Sequence, residues 1–384
     1  MKIIFDRSKM ASALTPLMAT VGSRSTLPAI EGILIEAKAP DSLTLTTYDI
    51  EKGMRTTIEA EVLEDGYFIV NAQKLNKALY VMESDKIVFT VDEKFRATLK
   101  SGKAVISMNA LDGEDFPSVP SLKSEMGFYI SQKLLRRMLQ KIGHAMAQTS
   151  ERQVLNGCFV HVEDDSIVIV SCNGHKLATC KTKTSIKKGN EKDSYISYSF
   201  ILPYKTVGEL LKLLSDDEEA ITRIFLMRKH IVFEIGNIVF FSRLIEGEYV
   251  DYERLIITSH KINVDIDKEE LMAALERAAL ITEEKIAGRL SAYVKLTLED
   301  EYLEISAASV NGSSHDEMKV VHDGEDIVIA FNNRYLIDSL RSCDSEKVRF
   351  SMSSPLTGMN VTPVNEDGDT TEELYMIQPI RMND

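Results

Sequence analysis

Apolar residues recur along this chain with two spacings that trade places at regular intervals. In ILIEAKAPDSLTLTTYD, CFVHVEDDSIVIVSCNG and VKLTLEDEYLEISAASVNG they fall at every second position, and the runs break at Pro40-Asp41, Asp164-Asp165 and Glu299-Asp300. Each stretch predicts strand, turn, strand. In IIFDRSKMASALTPLMATV, FYISQKLLRRMLQKIGHAM and VDIDKEELMAALERAALI a short extended run meets Asp6, Ser131 or Asp267, and the apolar spacing then widens. Met10 and Leu14, Leu135 and Leu139, and Leu271 and Leu275 stand four and eight residues after those three positions. That period keeps them on one helix face, and an Asp or Ser just before it satisfies free amides of the first turn.

The recurrence matters as much as the pattern. The three caps lie 125 and 136 residues apart. A second kind of helix start recurs in FIVNAQKLNKAL, FILPYKTVGELL and VIAFNNRYLIDSL, where alignment on Asn71, Pro203 and Asn332 brings Lys74, Lys205 and Arg334 to within one residue of correspondence. Helix starts of two kinds in matching order imply a threefold internal repeat. The expected fold class is α+β, with three repeated domains at 1–122, 123–256 and 257–384. Each would set two helices against antiparallel sheets, and the polar or proline-marked stretches 111–125 and 256–261 would be linkers.

Charge then changes the picture. The chain has 45 Lys+Arg against 59 Asp+Glu, a net −14, yet the segment 131–150 carries Lys133, Arg136, Arg137 and Lys141 with no acidic residue. With Leu134, Leu135, Met138, Leu139 and Ile142 as the buried face of a helix, the four cations are expected to be displayed. A basic helical surface on an acidic protein fits a duplex held by its phosphates and not read by sequence. The absence of Trp and of any Phe/Tyr cluster argues against stacking of single strands.

Other chemistries find little support. Cys172, His175 and Cys180 lie close together in SCNGHKLATCK, but nearness in sequence supplies neither a placed base nor an orienting third group. As metal ligands they lack a fourth donor nearby, and no GxxxxGK[ST] loop is present. An enzyme is not expected, nor any metal or cofactor. No run of 18 apolar residues suggests a membrane span. The apolar run before Asp6 in MKIIFDRSKM is too short for a secretory signal, so the expected location is cytoplasmic, at the nucleoid.

The stretches SRSTLPAIEGILIEA, LDGEDFP, VLNGCFVHVEDDSIVIVSCNGHKLA, ILPYKTVGELLKLL, SRLIEGEYVDYERLI, RAALITEEKIAGRLS, FNNRYLIDSLRS and YMIQPIRM resemble, in this order and over the entire chain, the bacterial DNA polymerase III β subunit family of sliding clamps. The resemblance implies three topologically alike domains per subunit and two subunits joined head to tail in a closed ring, with twelve helices lining the hole. Helix axes ~8–10 Å apart would leave an opening of about 20–28 Å once a helix thickness is removed, on the scale of a duplex.

Functional residues follow by the same resemblance. The implied protein is a processivity factor that encircles duplex DNA and tethers the replicative polymerase, the clamp loader, and mismatch-repair and translesion factors through short apolar peptides. Arg24 corresponds to a DNA-contacting residue; Lys74, Arg137, Lys141 and Lys205 join it on charge and repeat position, while Gln73 stands where a relative has arginine. The implied peptide pocket comprises Leu155, Gly174, His175, Lys176, Leu177, Val250, Arg254, Leu255, Asn332, Tyr335, Met376, Ile377, Pro379, Ile380, Arg381 and Met382. Val250 replaces a usual proline, and Asn383-Asp384 extend past Met382. For the homodimer, Lys103, Ile106 and Met108 on an edge strand of the first domain are expected to meet Leu280 and Ile281 of the other subunit. The alternative is a repeat-built protein-interaction scaffold that never encircles DNA.

Overall fold

Every expected helix start is one. The helices are α1 (Arg7–Leu17), α2 (Ala72–Val81), α3 (Gln132–Gly143), α4 (Tyr204–Leu213), α5 (Lys268–Thr282) and α6 (Asn333–Ser342). Asp6 caps α1 by accepting from the Lys9 amide, Asn71 caps α2 through the Lys74 amide, and Asp267 accepts from the Glu270 amide at the head of α5. Asn332 accepts from the amides of Arg334 and Tyr335. These bonds satisfy amides that have no partner inside the helix. Lys74 is the third residue of α2 whereas Lys205 and Arg334 are second in theirs. Gln73, not Lys74, is therefore the structural counterpart, because a shared helix start fixes position from its first turn.

The structure is a computed structural model that describes residues 1–384 except 24–26, 121, 123–125, 190–194, 283–284, 287–288, 291–292, 365–370 and 383–384, and except the side chains of 285–286 and 289–290. The chain divides into two compact units, each discontinuous in sequence.

The first unit comprises Met1–Lys133, Lys187–Ser194 and Gly208–Leu244. Among the described residues its strands form one antiparallel sheet of 14. The sheet crosses from the first repeat to the second where Ile238–Arg243 pairs with Lys52–Glu59, from Ile238–Thr56 to Ser242–Lys52. Apolar side chains from both repeats share a core: Leu34, Tyr48, Ile69, Phe116, Phe225, Val232 and Phe241 are buried together. Phe116, Val119 and Leu122 belong to the expected linker and pack on this cluster, so that stretch is bound down and not a free tether. Its alternation with Pro and Ser hid an apolar face. α1 buries Met10, Ala13, Leu14 and Leu17, and α2 buries Ala72, Leu75, Ala78 and Leu79, as the period requires.

The second unit comprises Leu134–Ile186, Tyr195–Val207 and Ile245–Asp384. It holds an antiparallel sheet of 9 strands and another of 4 among the described residues. Here too a sheet crosses between repeats: Lys176–Lys183 pairs with Thr371–Ile377, from Lys176–Ile377 to Thr182–Thr371. α5 and α6 pack side by side, pinned by the buried Asn333 amide donating to the Leu275 carbonyl at 3.0 Å and to Thr282 Oγ1 at 3.2 Å. Full burial of a Leu, Ile or Phe contributes roughly 1.5–3 kcal/mol, so the shared cores bind repeats to one another strongly. No helix among the described residues is long and apolar enough to cross a membrane.

Candidate functional site

Cross-strand register builds the floor of the expected pocket inside the second unit. Cys172 stands opposite Leu177, and Leu177 opposite Met376, in adjacent antiparallel strands. Residues directly opposite one another share a sheet face, so the three form one apolar row. Leu155, Val170 and Ala147 complete the buried cluster, and Val154, Phe159, Val168, Tyr249, Val250, Tyr252, Ile256 and Leu374 pack around it half-buried. Leu155, Leu177 and Met376, all in the expected set, fall in this one cluster. Val170, Cys172, Tyr249, Tyr252 and Leu374 were not assigned, although the alternation of SIVIVSC points Val170 and Cys172, and that of ELYMI points Leu374, to one sheet face.

The NGHKLA turn sets the rim. Asn173 Oδ1 accepts from the amides of His175 and Lys176, both at 3.0 Å, and Gly174 takes φ +90°, the left-handed region that glycine enters without penalty. The turn leaves His175 exposed and drops Lys176 into the interior. The His175 ring stacks on Tyr335 with centroids 6.3 Å apart. The Lys176 ammonium donates to Asp338 Oδ2 at 2.9 Å and sits over the Tyr335 ring, 4.7 Å from its centroid. Burial pulls this lysine below the usual range, against the opposing pull of Asp338.

The chain's last described residues are tied to the same place. The Gln378 amide donates to the His175 carbonyl at 2.9 Å, and the Ile380 amide to the Ala330 carbonyl at 2.7 Å. A side chain at Gly358 would meet the Gln378 amide group at 3.2 Å and Met376 at 3.3 Å, so glycine lets this segment lie close. Pro379 and Ile380 are half-buried, while Arg381 and Met382 are exposed. Leu255 is exposed on the opposite wall, and Arg254 beside it pairs with Asp251 at 2.9 Å. Asn332 serves as the cap of α6 and thereby aims Tyr335. Ile377 is fully buried and, as the next residue of the strand, lies on the sheet face opposite Met376.

The thiols are not poised for nucleophilic chemistry. Cys172 and Cys180 are buried, and burial raises the Cys172 thiol, the opposite of what an attacking thiolate needs.

The expected DNA contacts divide. Arg24 lies outside the described residues. Lys74 and Lys205 are exposed, and Arg137 is half-buried near Asp344 at 3.4 Å. Lys141 corrects the expectation of display: it is 4% exposed, donates to the Ser342 carbonyl at 2.5 Å, and pairs with Asp344 at 2.7 Å and Glu373 at 3.2 Å. At about 100° per residue it sits only about 60° from Met138 around α3, on the shoulder of the apolar stripe. Acidic groups from distant sequence make that burial tolerable.

The expected subunit edge also divides. Residues 104–109 of the strand Ala104–Asp112 pair with Arg96–Ser101 on one side, while only 110–112 pair with Gly66–Asn71 on the other. Among the described residues an edge is thus open beside Lys103, Val105 and Ile106. Met108 is buried in its own unit and is not displayed, since it lies opposite Ala97, itself fully buried. Leu280 is 76% exposed at the end of α5, and Ile281 is half-buried. Among the described residues the strand Ser313–Lys319 pairs with Tyr302–Ala308 alone, which leaves a second open edge there.

Family models of the DNA polymerase III beta subunit match residues 1–120 with the N-terminal domain, 129–251 with the central domain and 253–377 with the C-terminal domain. The chain belongs to that family. Like its other members it repeats one α+β clamp domain three times. A beta sliding clamp from Vibrio cholerae is 28% identical over 384 residues, covering 100% of both chains. One from Chlamydia muridarum is 26% identical over 385 residues, again across 100% of both. The crystal structure of the DNA polymerase III subunit beta from Pseudomonas aeruginosa superposes with a TM-score of 0.89 at 28% identity over the whole of each chain. A sliding clamp of that organism bound to griselimycin gives 0.87 at 28% identity, also over the whole of each chain.

Proposed function

We propose that this chain is a DNA sliding clamp: a processivity factor that closes as a head-to-tail homodimer around duplex DNA and tethers the replicative polymerase, the clamp loader and repair factors through the pocket described above. Its activity is tethering, with no chemical step of its own, and its place is the cytoplasm, at the nucleoid. The domains run 1–122, 123–256 and 257–384. The observation that carries this reading is the apolar row Cys172–Leu177–Met376. Val250 and Tyr252 pack against it, and the backbone that follows Met376 is tied down at Gln378 and Ile380. Such an apolar cluster suits the apolar anchors of an extended peptide, and a thioether among its members adapts to different side chains.

The open edge at 104–109 and the open edge of Ser313–Lys319 support the dimer, because an unpaired strand edge with exposed Val105 beside it invites pairing with a second chain. Exposed Lys74 and Lys205, with Arg137 and Arg24, are proposed to face phosphate. The test is retention after loading on DNA. A clamp stays on nicked circular plasmid and is lost when a restriction enzyme linearises it, whereas a scaffold that does not encircle DNA leaves both forms alike. Each of Lys74→Ala and Lys205→Ala should flatten the log–log salt dependence by roughly 0.9 per lost phosphate contact.

A further inference from the structure

We propose that Asp338 is a positioning residue of the peptide site: from α6 it fixes the Lys176 ammonium, which in turn holds the Tyr335 ring and the His175 turn at the rim. The inference rests on the peptide-pocket reading and names a residue outside the set that resemblance implies.

Lys176 is 4% exposed, and its cation has Asp338 Oδ2 at 2.9 Å and the Tyr335 ring at 4.7 Å. Asp338 follows Tyr335 by three residues on α6, so the two side chains lie on one side of that helix and close on the same ammonium. Tyr335 then stacks on His175, whose carbonyl tethers Gln378. One carboxylate thus stands behind ring, turn and tail. A buried ion pair broken from one side leaves its remaining charge uncompensated, so removing Asp338 should displace or neutralise Lys176 and loosen the rim.

The charged groups around the lysine make the consequence measurable. Arg334 on α6 pushes the ammonium toward its neutral form, in the same direction as burial, and Asp338 opposes both. His144, just past the end of α3, also lies within the field of Lys176 and Asp338, and burial keeps its ring neutral. Asp338 also lines a cavity of about 420 Å³ between α3 and α6 with Arg137, His144 and Arg341.

The experiment titrates the full chain with a fluorescent peptide bearing leucine and phenylalanine anchors, from pH 6 to pH 9.5. The proposal expects Asp338→Asn to lose roughly tenfold in affinity at the alkaline end and less at the acidic end, its midpoint falling below that of the unaltered protein. Asp338→Glu should restore both affinity and profile, and Asp338→Asn should add nothing further to Lys176→Met. An Asn variant that binds as the unaltered protein does, or loses affinity equally at every pH without rescue by Glu, overturns the proposal. If the unaltered protein binds no anchored peptide at all, the pocket reading itself fails, and the proposal with it.

Discussion

Lys141 and Glu373, a cation and an anion both almost wholly buried, face each other at 3.2 Å although 232 residues separate them. Lys141 comes from α3 of the second repeat and Glu373 from a strand of the third. Tyr375 donates to Glu373 at 2.9 Å, so the carboxylate is held from two sides. Lys141→Met should strand Glu373 in the interior and cost about 3–5 kcal/mol of stability. Adding Glu373→Gln should return part of it. Thermal unfolding of the single and double variants measures both, and two additive losses would show that the pair is not coupled.

The open edge beside Ile106 and the exposed Leu280 are expected to meet in the dimer. Ile106→Asp together with Leu280→Asp should give a folded monomer in sedimentation velocity that no longer stays on circular DNA. Met108→Asp should instead unfold the first unit, because Met108 is core. A double variant that still sediments as a dimer removes this edge from the interface.

Deleting 378–384 removes the backbone bonds to His175 and Ala330 but no described strand residue, whereas Tyr375, Met376 and Ile377 are buried in a strand. The truncated chain should keep its unfolding temperature within a few degrees and its dimer, and should lose at least tenfold in affinity for an anchored peptide. Equal affinity in truncated and full chains would place the pocket elsewhere.

His144 predicts a pH dependence of stability. Burial lowers its imidazole to about 4 from the ordinary 6.5. A depressed folded-state value means the unfolded chain takes up the proton first as pH falls. Stability should therefore decline from about pH 6.5 down to about pH 4, by roughly 3 kcal/mol from this group, and be unaffected by it above pH 7. His144→Leu should flatten that part of the curve in urea titrations at each pH; an unchanged slope would assign the decline to other groups.

Local signals in the sequence carried the helix starts well, because a cap and its apolar period lie within a dozen residues. Asp6, Asn71 and Asn332 each announced a helix and bond its first turn. Leu155, Leu177 and Met376, assigned to one site by resemblance, do lie in one buried cluster. What failed was whatever depended on a partner far away in the chain. Lys141 reads as surface until Glu373 and Asp344 are placed beside it, and Met108 reads as an interface residue until Ala97 is seen opposite. Asp338 carries no motif at all, and its link to Lys176 spans 162 residues.

The sheets that run from one repeat into the next have a mechanical consequence. At Ile238–Thr56 through Ser242–Lys52, and again at Lys176–Ile377 through Thr182–Thr371, neighbouring repeats are welded by backbone hydrogen bonds that must all break together before the repeats part. Within each unit, then, the two joined repeats form one stiff body. If two such chains close a ring as proposed, a duplex with no free end is expected to enter where chain meets chain, at the edges that carry exposed Val105 and Leu280.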